Sequence, residues 1–317
     1  MMRYVITGGA GFIGSNFIRL LLAENPEAQV LNIDKMTYAA NPKIVSEFAK
    51  YPNYTLLTAD ICDFDAMSNA IEHLDIVVNF AAESHVDRSI KDPNSFVQTN
   101  VIGVNNLLTA CRENNADRFI QISTDEVYGS LNFTDRPSRE TDLLNPSSPY
   151  SASKAAGEML CMAAYKTFGQ KVIITRSSNN YGPYQYPEKV IPLFISRLMN
   201  EQKVPLYGNG LNVRDWIHVE DNCKAIKTII TKGNFGEIYN IGGGNEIDNM
   251  KLTSLLLECF GKDFSQVERV ADRLGHDLRY AINCAKTKKL GWKPSIEFKT
   301  GLQETVIWYK KNFSIFK

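Results

Sequence analysis

Arg3-Tyr4-Val5-Ile6-Thr7-Gly8-Gly9-Ala10-Gly11-Phe12-Ile13-Gly14 lies at the start of the chain, and its reading decides the fold. Arg3 to Thr7 is a short apolar run of strand formers, and Phe12 to Ala23 carries apolar residues at helical spacing. Between them, Gly8, Gly9, Gly11 and Gly14 satisfy both the G-x-x-G-x-x-G and the G-x-G-x-x-G spacing. In that order a backbone turns tightly, approaches a pyrophosphate and offers it the free N–H groups of a helix start. A glycine cluster alone also describes an ordinary tight turn. Asp34 adds the second half of the signal, because it closes the next predicted strand 20 residues after Gly14. A carboxylate there accepts hydrogen bonds from ribose hydroxyls and repels a 2′-phosphate, so the expected cofactor is NAD rather than NADP.

Outward from this unit, runs rich in Val and Ile recur at Val30 to Ile33, Tyr54 to Leu57, Ile76 to Phe80, Arg118 to Ser123 and Lys171 to Thr175, with helical segments between most of them. Alternation of this kind predicts the α/β class, a doubly wound parallel sheet (Rossmann) with helices on both faces. Asp60-Ile61 and Asn79-Phe80-Ala81-Ala82 fall at the C-terminal ends of predicted strands, where such sheets bind ligands. After Tyr181, Pro183, Pro187, Pro192 and Pro205, with Gly208 and Gly210, break the chain into short elements. The expected organisation is a cofactor domain over residues 1–180, with return segments near 213–242, and a second, smaller α/β substrate-binding lobe over most of 181–317.

Composition narrows the function. Hydrophobic residues make up 44% of 317, enough for a substantial core, and 35 basic residues balance 35 acidic ones. No basic run offers a footprint for nucleic acid or an anionic membrane, so a small molecule is the expected partner. The six cysteines (62, 111, 161, 223, 259, 284) include no close pair, which fits neither a zinc site nor a C-x-x-C motif. No metal is expected, and reduced thiols fit a cytoplasmic location. The N-terminus shows no signal pattern and no apolar run is long enough to span a bilayer.

Tyr150 and Lys154 form Y-x-x-x-K at the start of a predicted helix over Ser151 to Phe168, so both side chains share one face. An ammonium beside a phenol, with a positive nicotinamide ring nearby, favours phenolate and equips Tyr150 as a base. Y-x-x-x-K arises often by chance; its weight comes from the glycine turn upstream.

Together the two motifs resemble the extended short-chain dehydrogenase/reductase superfamily and its nucleotide-sugar epimerases and dehydratases. Thr124-Asp125-Glu126-Val127-Tyr128-Gly129 sharpens the resemblance, because epimerases of the group carry Ser or Thr there without the acidic pair, whereas the dTDP-glucose 4,6-dehydratase family carries Asp-Glu. Further similar segments cover nearly the whole chain: Asp34 to Tyr38, Ala81 to Ser89, Ser178 to Tyr184, Asn212 to Trp216 and Gly275 to Tyr280. Two positions depart from the family pattern, Leu274 for proline and Ala40 for glycine, and they leave the base of the nucleotide open.

The resemblance implies an NAD-dependent lyase acting on dTDP-glucose, with a 4-epimerase or a decarboxylase of another nucleotide sugar as the alternative. It implies that Thr124 orients the C4 hydroxyl, Asp125 is the general acid, Glu126 the general base, and Tyr150 with Lys154 the pair that serves the C4 oxidation. It implies NAD contacts at Gly8, Gly11, Phe12, Ile13, Gly14, Asp34, Lys35, Thr37, Asp60, Ile61, Ala81, Ala82, Thr99, Tyr150, Lys154 and Asn180. Nucleotide-sugar contacts are implied at Ser84, Thr124, Asn179, Lys189, Val190, Pro205, Tyr207, Arg214, Asn249, Asp272, Arg273 and His276. Arg214 also makes sense as a bidentate diphosphate clamp, unless it pairs with a neighbouring acid such as Asp215. A homodimer is implied too, through helices near Ser95 to Arg112 and Ser151 to Phe168, with Val101, Val104, Leu107, Leu108, Met159, Leu160 and Ala163 as candidate contacts; burial inside one subunit explains these residues equally well.

Overall fold

The structure, a computed structural model, describes residues 2–316. The chain begins with β1 (Arg3–Thr7), α1 (Phe12–Glu24), β2 (Gln29–Asp34), α2 (Pro42–Phe48), β3 (Tyr54–Thr58), α3 (Phe64–Ala70) and β4 (Ile76–Asn79). Helices α4 (Val86–Lys91), α5 (Pro93–Val97) and α6 (Val104–Glu113) lead to β5 (Arg118–Thr124), and α7 (Pro149–Phe168) to β6 (Val172–Ser177) and β7 (Asn179–Tyr181). Next come α8 (Val190–Met199), β8 (Val204–Tyr207), β9 (Val213–His218), α9 (Val219–Lys232) and β10 (Glu237–Ile241). The chain ends through β11 (Glu246–Asp248), α10 (Asn249–Glu258), β12 (Val267–Val270), α11 (Ala285–Lys289) and α12 (Phe298–Asn312).

Seven strands form one wholly parallel sheet in the order β10-β6-β5-β4-β1-β2-β3. Both faces are covered, which is why strands such as Ile76–Asn79 are buried at every position. Alternation sorts neighbours to opposite faces: Ile6 joins a core with Phe17 and Leu21 of α1 and Ile226 and Ile229 of α9, whereas Val5 joins Leu107 of α6 and Cys161 of α7. Each such fully buried aliphatic side chain contributes about 1.5–3 kcal/mol. The strand order reverses at β1 and β4, and the crevice beyond their C-terminal ends is where a doubly wound sheet binds its ligand.

Three expectations need correction. Val213–His218 does not return to the large sheet. It is the middle strand of a separate three-stranded sheet, parallel to β7 and antiparallel to β11; the chain re-enters the first lobe at α9, and β10 then adds the outermost strand. The helix read across Ser95 to Arg112 is also not continuous, because Gln98–Gly103 is a π-helical turn between α5 and α6. One extra residue per turn re-aims Thr99 and Asn100, an effect that a 3.6-residue period cannot show. Finally, Val104, Leu107 and Leu108 are buried inside the subunit, so they cannot serve a dimer face; Met159 and Ile102 are exposed.

Candidate active site

The glycine turn is built as a cradle. Gly8 has φ +70°, and a Cβ there would stand 2.6 Å from the Ala81 backbone nitrogen; at Gly14 it would stand 2.4 Å from the Gly8 carbonyl oxygen. Gly11 caps α1 without a side-chain acceptor, and the first turn holds no acidic residue, which leaves its N–H groups open to an anion. Asp34 is fixed beside them, accepting from the Ala10 N–H at 2.9 Å and the Met36 N–H at 2.8 Å. Each oxygen retains a lone pair for a hydroxyl donor.

These residues line a cavity of about 360 Å³ across the C-terminal ends of β1, β2, β4 and β5. Every position expected at the cofactor lies on it. Gly8, Gly11, Phe12, Ile13 and Gly14 form one wall; Asp34, Lys35, Thr37, Asp60 and Ile61 form the far end; Ala81, Ala82, Thr99, Tyr150, Lys154 and Asn180 close the other. Ser123 Oγ, Asn179 Oδ1 and Asn180 Oδ1 are buried on this lining with no hydrogen-bond partner among the described residues. Unpaired buried acceptors and donors of this kind await a polar ligand, and the site therefore fits a dinucleotide.

Tyr150 owes its place to the start of α7. Ser148 and Ser151 form a capping box, Pro149 occupies the first turn, and Gly169 at φ +66° ends the helix. Tyr150 and Lys154 are both buried, and Lys154 Nζ donates to the Ile122 carbonyl oxygen at 2.6 Å. Burial lowers the Lys154 amine to about 8, against the opposing charge of Glu158. The Tyr150 phenol, bonded to Thr124, is raised instead, by burial first and then by the charge of Glu126. Burial and the carboxylates of Glu126 and Asp125 thus oppose ionisation of Tyr150, and a positive neighbour would favour it.

The acidic pair follows β5 in a single 3-10 turn, Asp125–Tyr128, with Thr124 as its cap and its Oγ1 accepting from the Glu126 N–H at 3.2 Å. The Asp125 carboxyl is raised well above the usual range by burial and by the charges of Glu126 and Asp215, and its Oδ2 has no partner among the described residues. Burial raises Glu126 too, but Arg214 and Lys189 oppose the rise.

A second cavity of about 390 Å³ opens beyond the first and shares Glu126, Asn179, Asn180 and Lys189 with it. Val190, Pro205, Tyr207, Arg214, Asn249, Arg273 and His276, expected at the nucleotide sugar, line this second cavity; Ser84 and Thr124 line the first. Asp272 lines neither. Its carboxylate turns to His276, Oδ1 to Nδ1 2.6 Å, and braces that ring from outside. Arg214 forms no ion pair among the described residues: its guanidinium donates to the Val213 and Asp277 carbonyl oxygens (2.7 and 3.0 Å) and lies 4.2 Å from the Tyr280 ring centroid. Asp215 is therefore not its partner; it accepts from the Asn245 N–H at 2.6 Å.

Some lining residues were not foreseen. Glu188 is one, accepting from the Tyr38 hydroxyl at 3.1 Å while the Arg88 guanidinium stacks 3.6 Å from the Tyr38 ring, so that three distant segments meet beside the first cavity. Tyr280 and Asp277 are others; both stand inside a quoted family segment, which was the available signal.

Comparison with known proteins agrees along the whole chain. The family model described as GDP-mannose 4,6 dehydratase matches residues 5–305. The dTDP-glucose 4,6-dehydratase of Streptomyces griseus is 47% identical over 313 residues, covering 98% of this chain and 94% of the relative. The low-salt glycan biosynthesis protein Agl12 of Haloferax volcanii is 47% identical over 308 residues, covering 97% and 98%. The crystal structure of DesIV, a dTDP-glucose 4,6-dehydratase from Streptomyces venezuelae with NAD and TYD (dTDP) bound, matches with a TM-score of 0.96 at 45% identity, covering 99% of this chain and 98% of that one. Similarity of this extent decides the kinship, and the chain belongs to the nucleotide-sugar 4,6-dehydratase family.

Proposed function

We propose that the chain is a dTDP-glucose 4,6-dehydratase, an NAD-dependent lyase that yields dTDP-4-keto-6-deoxyglucose. The observation that carries this reading is the pair Asp125 and Glu126 on the first cavity together with Tyr150, with Glu126 also on the wall that the second cavity shares. A 4-epimerase or a decarboxylase has no use for an acid and a base beside C5 and C6.

The residues divide the work as follows. When bound, NAD accepts a hydride from C4 and returns it at C6. Thr124 orients the C4 hydroxyl and Tyr150 removes its proton, with Lys154 contributing part of the positive charge that favours the phenolate. The ketone at C4 acidifies C5. Glu126, whose rise Arg214 and Lys189 oppose, takes the C5 proton; Asp125, the carboxyl that burial raises furthest toward its protonated form, gives a proton to the departing C6 hydroxyl, which leaves as water. Glu126 then restores a proton at C5, and the turnover closes as Tyr150 releases its proton to solvent and Asp125 takes one up.

The large lobe is assigned to NAD and most of the chain after residue 180 to the nucleotide sugar. Arg214 clamps the diphosphate, because a guanidinium held only by carbonyl oxygens and an aromatic face keeps its whole charge for the ligand. We place the enzyme in the cytoplasm as a homodimer. No helix among the described residues is long and apolar enough to cross a membrane.

Incubating purified protein with dTDP-glucose and UDP-hexoses, and analysing products, tests the reading. A 4-keto-6-deoxy product from dTDP-glucose is expected. An inverted C4 hydroxyl with C6 intact would establish the epimerase instead.

A further inference from the structure

Arg176, on β6, is buried to about 1% exposure and takes no part in the mechanism above. On one side its guanidinium grips Glu158 of α7, with Nε at 3.1 and 3.0 Å from the two carboxylate oxygens and Nη2 at 2.6 Å from Oε2. On the other side it stacks 4.6 Å from the ring centroid of Tyr128, the last residue of the 3-10 turn that carries Asp125 and Glu126. Glu158 stands one helical turn beyond Lys154, two after Tyr150. The two side chains of the ion pair are exposed by only 2% and 0%. A buried pair of this kind is weak evidence for stability, because desolvation offsets most of its attraction, and apolar replacements often fold as well or better. Stability alone therefore does not account for the pair.

We propose that Arg176 is a positioning residue that ties the two halves of the active site together, holding the α7 face of Tyr150 and Lys154 at a fixed distance from the acid-base turn. Glu158 anchors the oxidation half to Arg176, and the Tyr128 ring anchors the elimination half to the same guanidinium. Tyr128 is itself fixed from behind, its hydroxyl donating to Asn240 Oδ1 at 2.8 Å on β10. The anchors have an electrostatic side as well: the Glu158 charge works against the loss of the Lys154 proton that burial favours. A planar guanidinium suits both contacts at once, with a fork for the carboxylate and a face for the ring; an ammonium provides neither.

A double-mutant cycle on the holoenzyme tests the strut without reference to the reaction. Glu158→Gln and Tyr128→Leu touch Arg176 from opposite sides. If the guanidinium couples them, the double variant melts about 2 °C or more above the value obtained by adding the two single shifts. Additive shifts would overturn the proposal.

The functional arm rests on the dehydratase reading. In a single turnover with dTDP-glucose, Tyr128→Leu, which frees only the acid-base turn, is expected to form reduced cofactor at the parental rate and to eliminate water about 10-fold or more slowly. Arg176→Lys, which frees both halves, is expected to slow both steps, since small misplacements of reacting groups are costly. Tyr128→Phe keeps the ring and should keep the parental ratio of the two steps. Parental elimination in Tyr128→Leu, equal slowing of both steps in that variant, or parental rates of both steps in Arg176→Lys would show that Arg176 serves the fold alone. If the parent dehydrates no nucleotide hexose, the dehydratase reading fails, and the melting cycle still decides the strut.

Discussion

Asp125 and Glu126 are adjacent in the chain, yet after burial different charges weigh most on them: the anions Glu126 and Asp215 on Asp125, ahead of Arg214, and the cations Arg214 and Lys189 on Glu126, ahead of Asp277. Burial raises both and Arg214 opposes both rises, but the next-largest influence pushes Asp125 higher and draws Glu126 down. The proposed division into a proton donor and a proton acceptor therefore rests on environment rather than on residue type.

Asp125→Asn and Glu126→Gln should accordingly block elimination far more than the first oxidation. Each preserves volume and hydrogen bonding approximately, and each removes one proton-transfer function worth about 10²–10⁴-fold. On mixing with substrate, reduced cofactor should still appear, while C5 hydrogen exchange lags in the Glu126 variant. Dehydration at the parental rate in that variant would sink the assignment.

Asp34 makes cofactor choice measurable. Its oxygens are held by the Ala10 and Met36 N–H groups at the edge of the cavity, and the carboxyl is raised by burial against those two bonds. A phosphate brought there would add charge to a site that already disfavours it. Direct titration should show NAD binding far more tightly than NADP, and Asp34→Asn should narrow the gap. Equal affinity of the parent for both cofactors would refute this role.

The contrast between Val5–Ile6 and Arg176 shows why part of this could be read from sequence. Buried parallel strands announce themselves as Val and Ile runs, and the glycine turn, Asp34 and Y-x-x-x-K have fixed spacings, so the large sheet and the cofactor wall were legible. Arg176 sits inside one such run, Val172–Ser177, where nothing local reveals that its guanidinium meets Glu158 and Tyr128, 18 and 48 residues away in the chain. The π-helical turn at Gln98–Gly103 was hidden for a related reason: Gly103 and Gly157 permit close approach, with Cβ positions 2.5 Å from Ile61 and 2.7 Å from the Asn100 carbonyl, and such tertiary packing leaves no periodic trace. Asp272 had the right neighbours in sequence, but its side chain turns outward to His276.

The proposed dimer has a narrower candidate face than the sequence offered. Met159 on α7 and Ile102 on the π-helical turn are 50% and 43% exposed, with Val97 at 50%, whereas Val104, Leu107 and Leu108 are used inside the subunit. Met159→Lys combined with Ile102→Asp should give a folded monomer by light scattering at micromolar concentration. If the parent itself is monomeric there, or the double variant remains dimeric, this face is not the interface.

Lys154 offers a pH-dependent test in which stability and function pull apart. Its amine, lowered by burial from an ordinary 10.5 to about 8, is protonated below pH 8 in both the folded and unfolded chain. There the folded state bears the full disadvantage of a buried charge, on the order of 3 kcal/mol. Between about pH 8 and 10.5 the unfolded chain binds the proton and the folded chain does not, so the disadvantage fades and stability rises with pH through that window. Lys154→Met removes the titrating group and, at every pH, one donor to the Ile122 carbonyl. The constant loss cancels when pH values are compared. On NAD-free protein, the melting temperature of the variant relative to the parent should therefore be highest near pH 7 and fall steadily toward pH 10, while oxidation of the substrate is impaired throughout. A difference that stays constant with pH would mean that the buried amine does not titrate near 8, and that Lys154 meets more compensating charge than Glu158 supplies.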